Sequence, residues 1–270
     1  MSVEFRFLEL EHYDNEPHFR RFAKVAEARK REASLLFPTG VEPQAMFDSF
    51  LQGVISSIDQ RRYLPIARFC DGEYKFYAGK VTTTCWGELK SSLRAPNVET
   101  LHIDALRLIS QSGLICPNLN QIYLGLQSDF LEFLTRHGMP LRNYVPFYFV
   151  YALLAHPAFL ASLRGRRVAL ISSFTNKNLS NIRAFLEGFA IREIDIYELP
   201  GSGVAHGEFQ LKLTRRPDVA LVGAGIGSPL VLARLSDQSC LAIDSGFVFH
   251  LWDGTFDRYE RLFLNYTDNA

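Results

Sequence analysis

The sequence is poor in cysteine and has no net charge. Its four cysteines, Cys70, Cys85, Cys116 and Cys240, stand far apart and form no C-x-x-C pair. That excludes a disulfide scaffold and gives no sign of a zinc knuckle or dithiol redox site. A reducing, cytoplasmic compartment is expected. Lys+Arg and Asp+Glu both number 29, so no overall field is available to hold a polyanion, and no nucleic-acid partner is expected. The start, Met1-Ser2-Val3-Glu4-Phe5-Arg6, lacks the basic and apolar regions of a secretory signal. Long apolar runs are missing as well. The stretch 144–163 is nearly free of charge, but Pro146, His156 and Pro157 break it well short of the ~20 residues that a spanning helix needs. A buried or partly interfacial helix is expected there.

The chain does have material for a core: 270 residues, 47% hydrophobic and 13% aromatic. A chain of this size buries roughly 70–75% of the surface its unfolded form exposes. Residues 16–33 carry Arg20, Arg21, Lys24, Arg29, Lys30 and Arg31 beside Phe19, Phe22, Val25 and Ala26 at helical spacing, a basic-faced amphipathic helix. A second helix is expected from Pro43 to about Arg62. From Leu64 the pattern changes to short apolar runs, each ending in a polar or glycine-rich turn: 65–69, 122–126, 168–172, 191–199, 219–222 and 241–244. Helical periods at 99–112, 128–137, 177–188 and 228–237 supply the crossovers. This predicts an α/β fold: a Rossmann-like, open, mostly parallel sheet with helices on both faces. Residues 1–62 form a helical N-terminal extension and 63–270 the sheet domain.

Open parallel sheets bind ligands beyond the carboxyl ends of their strands, and the turns at those positions are polar here. Asp71-Gly72-Glu73 follows a strand that contains Arg68. In extended backbone its two carboxylates fall on one side, suiting Mg²⁺ or Mn²⁺ bridged to phosphates; the alternative is a plain Asp-Gly turn. Gly72 permits close approach, and Arg68 is placed to clamp a phosphate. Gly223, Gly225, Gly227 and Ser228 join a strand to a helix carrying Pro229 in its first turn. That arrangement fits donor phosphates, tight glycine packing, or the nucleotide turn of an enzyme using NAD or S-adenosylmethionine, with Asp244 ending the next strand. Against the last stands position, because only 26 residues follow Asp244. Lys177 and Asn176 stand at a helix start beside Ser172, Ser173 and Thr175, a group that suits a phosphate or a sugar; the alternative is N-capping by Thr175 or Asn176. His206 and His250 are either general bases or satisfied polar residues, and Tyr74, Phe76, Tyr77 and Trp86 stack a ring or fill core.

Arg68-Phe69-Cys70-Asp71-Gly72-Glu73 resembles the R-F-G-D-G-E motif of glycosyltransferases of the GT-D fold, once known only as a domain of unknown function. Leu241-Ala242-Ile243-Asp244-Ser245-Gly246 is similar to that family's A-I-D-x-G ending. Cys70 replaces the family's usual glycine, and Phe247 stands where histidine is expected, with His250 nearby. The resemblance implies transfer of a sugar from a nucleoside diphosphate sugar, expected to be a UDP-sugar, to a glycan or lipid-linked acceptor. Mn²⁺ or Mg²⁺ would be held by Asp71 and Glu73. Arg68, Gly72, Lys177, Gly223, Gly225, Gly227 and Ser228 would contact the donor, and Asp244 would bond a sugar hydroxyl or act as base. Two alternatives remain at this point: an adenosylmethionine- or NAD-dependent enzyme built on Gly223–Asp244, and a noncatalytic sugar-nucleotide or glycan-binding module. The basic helix and the aromatic run would suit peripheral docking at the inner face of a membrane bearing a lipid-linked acceptor.

Overall fold

Among the described residues the apolar runs at 65–69, 168–172, 191–199, 219–222 and 241–244 contain strands, and all of these run the same way. The computed structural model describes residues 43–78, 97–117, 127–139, 145, 147–173, 176–246 and 248–253. In chain order the elements are α1 (Pro43–Asp59), β1 (Leu64–Phe69), α2 (Asp71–Tyr77), α3 (Val98–Ser112), β2 (Leu114–Pro117), α4 (Gln127–Arg136), α5 (Phe147–Ala155), α6 (Pro157–Ser162), β3 (Arg167–Ser172), α7 (Asn176–Glu187), β4 (Glu193–Glu198), β5 (Val219–Gly223), α8 (Ser228–Arg234), β6 (Leu241–Asp244) and α9 (Val248–Trp252). Short 3₁₀ turns at Gly201–His206 and Gly225–Gly227 lie at the carboxyl ends of β4 and β5. The six-stranded sheet has the order β2-β1-β6-β5-β3-β4, with every neighbouring pair parallel.

Along this order, β1→β2 and β5→β6 step in one direction and β3→β4 in the other. Right-handed crossovers therefore place α3 and α8 on one face and α7 on the opposite one. In agreement, α3 packs on α8, and α7 packs on α9. β1, β5 and β6 are buried along their whole length, as expected of strands covered on both faces. Helix α1 turns Phe47, Phe50, Leu51, Val54 and Ile58 into this same core, and Phe47 meets Phe149 of α5 edge-on at 5.3 Å. The first 42 residues, including the basic helix expected at 16–33, lie outside the described residues. So does the strand expected at 122–126.

One expectation changes. A strand not foreseen, β2, follows α3 after one residue, Gly113, where any side chain would collide: a Cβ would lie 2.0 Å from the Pro65 carbonyl oxygen. The 144–163 stretch is divided at His156-Pro157 into α5 and α6, and among the described residues no helix is long and apolar enough to cross a membrane.

The break carries a pH effect. His156 is the N-cap of α6, its Nδ1 accepting the Ala158 N–H at 3.1 Å. Burial holds this imidazole below its ordinary value of 6.5, against an opposing pull from Asp48. As pH falls, the unfolded chain takes up the proton first, so this stability is present above the unfolded pKa and is lost on descending through the folded one. Asparagine caps equally well and does not titrate in this range. In His156→Asn the denaturation midpoint should fall less than in the wild type between about pH 7.5 and 5.5; parallel pH curves would remove His156 from the account.

A candidate active site at the carboxyl edge

β1 and β6 are neighbours, aligned Leu64↔Leu241, Pro65↔Ala242 and Ile66↔Ile243. Their following turns, 70–73 and 245–246, consequently leave the sheet side by side. The two strands are joined by side chains 176 residues apart in sequence: Arg68 Nη2 donates to Asp244 Oδ1 at 3.0 Å, and Arg68 Nε donates to the Asp244 carbonyl at 3.1 Å. Nη1 donates to the hydroxyl of Tyr151 on α5. The guanidinium also lies over the rings of Phe147 and Tyr151, at 5.3 and 5.1 Å. Gly246, at φ +50°, closes another side; a Cβ there would fall 1.8 Å from Nη2. Arg68 and Asp244 are 7% and 1% exposed. Burial alone would loosen the guanidinium proton, but the carboxylates, Asp244 first and Glu73 after it, pull the other way, and its pKa is raised.

This geometry places two of the expected site residues. Arg68 gives one N–H from each of its three nitrogens to Asp244 and Tyr151. Asp244 is paired with it and buried.

The acid pair also differs from expectation, because Asp71-Gly72-Glu73 is helical, not extended. It forms the first turn of α2, where positions two apart point away from each other around the axis. Glu73, third in the helix, turns back so that Oε2 accepts the Cys70 N–H at 3.0 Å, the glutamate half of a capping box. The side chain of Asp71 lies outside the described residues. Gly72 faces open space. Tyr74, Phe76 and Tyr77 are buried and fill core; Tyr74 donates to Asp129 Oδ2 of α4 at 2.9 Å. Trp86 is outside the described residues.

The glycines of the next turn do different work. A Cβ at Gly223 would strike the Phe249 ring at 2.6 Å, and one at Gly227 would strike Val204 at 2.6 Å, so both serve close packing. Gly225, at φ +53°, has nothing within 4 Å among the described residues and is the one of the three that they leave open to a ligand. The turn is fixed from several sides. Tyr77 donates to the Ile226 carbonyl at 2.9 Å, Ser228 Oγ accepts the Ala224 N–H at 3.3 Å, and Ser172 Oγ donates to the Gly223 carbonyl at 2.9 Å. His102, stacked on Tyr77 with centroids 4.4 Å apart, bonds the Ala205 carbonyl through Nε2 at 2.8 Å. Lys177 lies in the first turn of α7, its side chain outside the described residues, as are Phe247 and the side chain of His250. His206 lies beside Phe76, its centroid 6.2 Å from that ring, and its Nδ1 is buried without a hydrogen-bond partner among the described residues.

Sequence reasoning missed Tyr151, Phe147 and His102 as site supports, and read Tyr77 only as a ring that stacks or fills core. Among the described residues, no three His, Cys, Asp or Glu side chains gather as a metal cage. The donors at the head of α2 are carboxylates without histidine, a hard-oxygen set that suits Mg²⁺ or Mn²⁺ retaining waters and phosphate oxygens.

Fold and site define a Rossmann-like α/β protein whose polar turns gather at the carboxyl edge of a parallel sheet. No family model matches the chain, and no curated protein matches it. The chain is similar to a solved structure described as a new glycosyltransferase, domain of unknown function 1792, from Streptococcus sanguinis. That alignment has 13% identity, covers 76% of this chain and 83% of that one, and has a TM-score of 0.47. It is likewise similar to a selenomethionine-substituted structure of domain of unknown function 1792, at 16% identity over 76% of this chain and 80% of that one, with a TM-score of 0.48.

Proposed function

We propose that the protein is a glycosyltransferase that moves a sugar from a nucleoside diphosphate sugar, a UDP-sugar, to a glycan or lipid-linked glycan acceptor. One observation carries the proposal. The segments 68–73 and 241–246, each resembling a motif of GT-D glycosyltransferases, meet through the buried Arg68–Asp244 pair at one edge of the sheet. Chance resemblance at two distant places gives no reason for the two to be joined in space.

In this account Asp71 and Glu73 would hold Mg²⁺ or Mn²⁺, directly or through the waters that reach between two carboxylates turned apart by the helix. Such a cation would supply charge neutralisation for the departing nucleoside diphosphate. Gly72 and Gly225 let the donor approach the backbone, and Lys177 adds positive charge from the head of α7. Arg68 and Asp244 act from below as the frame that sets the two turns. Peripheral membrane contact through the 16–33 helix belongs to the same proposal, as does a cytoplasmic location.

The test is manganese binding followed by the electron spin resonance of free Mn²⁺. UDP and protein together should remove more free signal than the sum of either alone, and Glu73→Gln should abolish the excess. Purely additive binding would sink the metal assignment. The adenosylmethionine or NAD alternative receives no support from Gly223 and Gly227, which are packed against side chains.

A further inference from the structure

We infer that Tyr151 is a positioning residue: it fixes Arg68, and through Arg68 the two turns at 70–73 and 244–246. Its consequence for turnover rests on the glycosyltransferase proposal; its consequence for the turns does not.

Helix α5 gives no packing reason for a hydroxyl at this place. Phe149, Val150, Tyr151, Leu153 and Leu154 are all 0% exposed and Ala152 is 2% exposed, so phenylalanine would fill the same volume without a polar atom. Burying a hydroxyl costs free energy unless it is hydrogen-bonded. Here the bond goes to Arg68, whose two hydrogen bonds to Asp244 tie it to β6. Burial pushes the Tyr151 phenol pKa upward even though Arg68 pulls it down, so the ring stays neutral and offers Arg68 a lone pair without competing with Asp244 for charge.

The guanidinium is confined on every side that these contacts define. Asp244 lies at one edge, the Tyr151 hydroxyl at another, two rings lie against it, and Gly246 leaves no room for even a methyl group. Arg68 precedes Cys70 by two residues, and Asp244 precedes Gly246 by two. Release of the guanidinium would therefore loosen what joins the two turn bases, and with them the Cys70 N–H that Glu73 caps. Tyr151 thereby connects the apolar helix α5 to both ends of the site. Small misplacements of that kind can cost about 10²-fold in rate.

The test uses the full chain with Tyr151→Phe, which keeps the ring and removes the hydroxyl. Leu153→Ala is the control, a cavity in the same helix away from Arg68. Hydrogen exchange should accelerate about tenfold or more at amides of 70–77 and 244–249 in Tyr151→Phe, while β3 and β5 keep wild-type protection. Leu153→Ala should lower the melting temperature without that selectivity. With a nucleotide sugar turned over by the wild type, Tyr151→Phe should lower kcat about 10- to 100-fold and leave the donor KM nearly unchanged.

Wild-type exchange at both turns overturns the inference, whatever the activity. Loosened turns with unchanged kcat overturn it too. Selective loosening in a protein whose wild type transfers no sugar upholds Tyr151 as the fixing residue and strikes the proposed function instead.

Discussion

Asp244→Ala is expected to cost about 3–5 kcal/mol of stability, the usual penalty for removing one partner of a buried ion pair. Against a total of about 5–15 kcal/mol for a domain, that loss brings the fold near its threshold. The cause is the cation left behind. Arg68 would keep its bonds to the Asp244 carbonyl and the Tyr151 hydroxyl but lose the carboxylate that balances its charge in a site 7% exposed. Asp244→Asn retains shape and an acceptor, so it should cost less. The double variant Arg68→Met with Asp244→Leu removes both charges, and such replacements are often neutral in stability. It should recover most of the midpoint lost in Asp244→Ala and recover no transfer. Denaturant midpoints of the three variants read this directly; an Asp244→Ala midpoint equal to wild type would show that the pair does not hold the strands.

The second large effect is on turnover. Glu73→Gln should lower sugar transfer by about 10²–10³-fold, the scale of losing one preorganised electrostatic contact to a developing charge. Its melting temperature should fall little, because glutamine serves as well as glutamate at the third position of a capping box and Asp244 remains the main counter-charge of Arg68. Glu73→Ala should lose the same activity and in addition about 0.5–2 kcal/mol, by analogy with the loss of a helix cap. The two variants separate what Glu73 does for α2 from what its charge does for the donor. Near-normal turnover in Glu73→Gln would leave Glu73 with the cap alone.

Much of the architecture was legible because parallel strands buried on both faces must read as unbroken apolar runs. Residues 65–69, 168–172, 219–222 and 241–244 were found nearly to the residue for that reason. β2 was not found. It is four residues long, ends in Pro117, and follows α3 after a single glycine, too short to display a period of its own. The acid pair was placed correctly at a strand end but in the wrong backbone. Cys70 occupies a position where serine or threonine would have announced a helix cap, so the reach of Glu73 back to its N–H carried no familiar signature.

Other parts of the site are invisible to local pattern in principle. The Arg68–Asp244 contact spans 176 residues, and only the sheet order brings it about. Tyr151 sits in a run so uniformly apolar that nothing marks it as polar machinery. Gly223, Gly225 and Gly227 look alike in sequence, yet only Gly225 combines a positive φ with open space; the other two are glycine because Phe249 and Val204 occupy the place of a side chain.

The most direct measurement is the thermal shift of the wild type and of Glu73→Gln with UDP, GDP, adenosylmethionine and NAD⁺, each with and without Mn²⁺, since a ligand that binds only the native state raises its melting temperature. The account predicts a rise with UDP that requires Mn²⁺ and disappears in Glu73→Gln. A rise with adenosylmethionine or NAD⁺ that ignores metal and survives the substitution would contradict it, and would move the site from the head of α2 to the turn after β5.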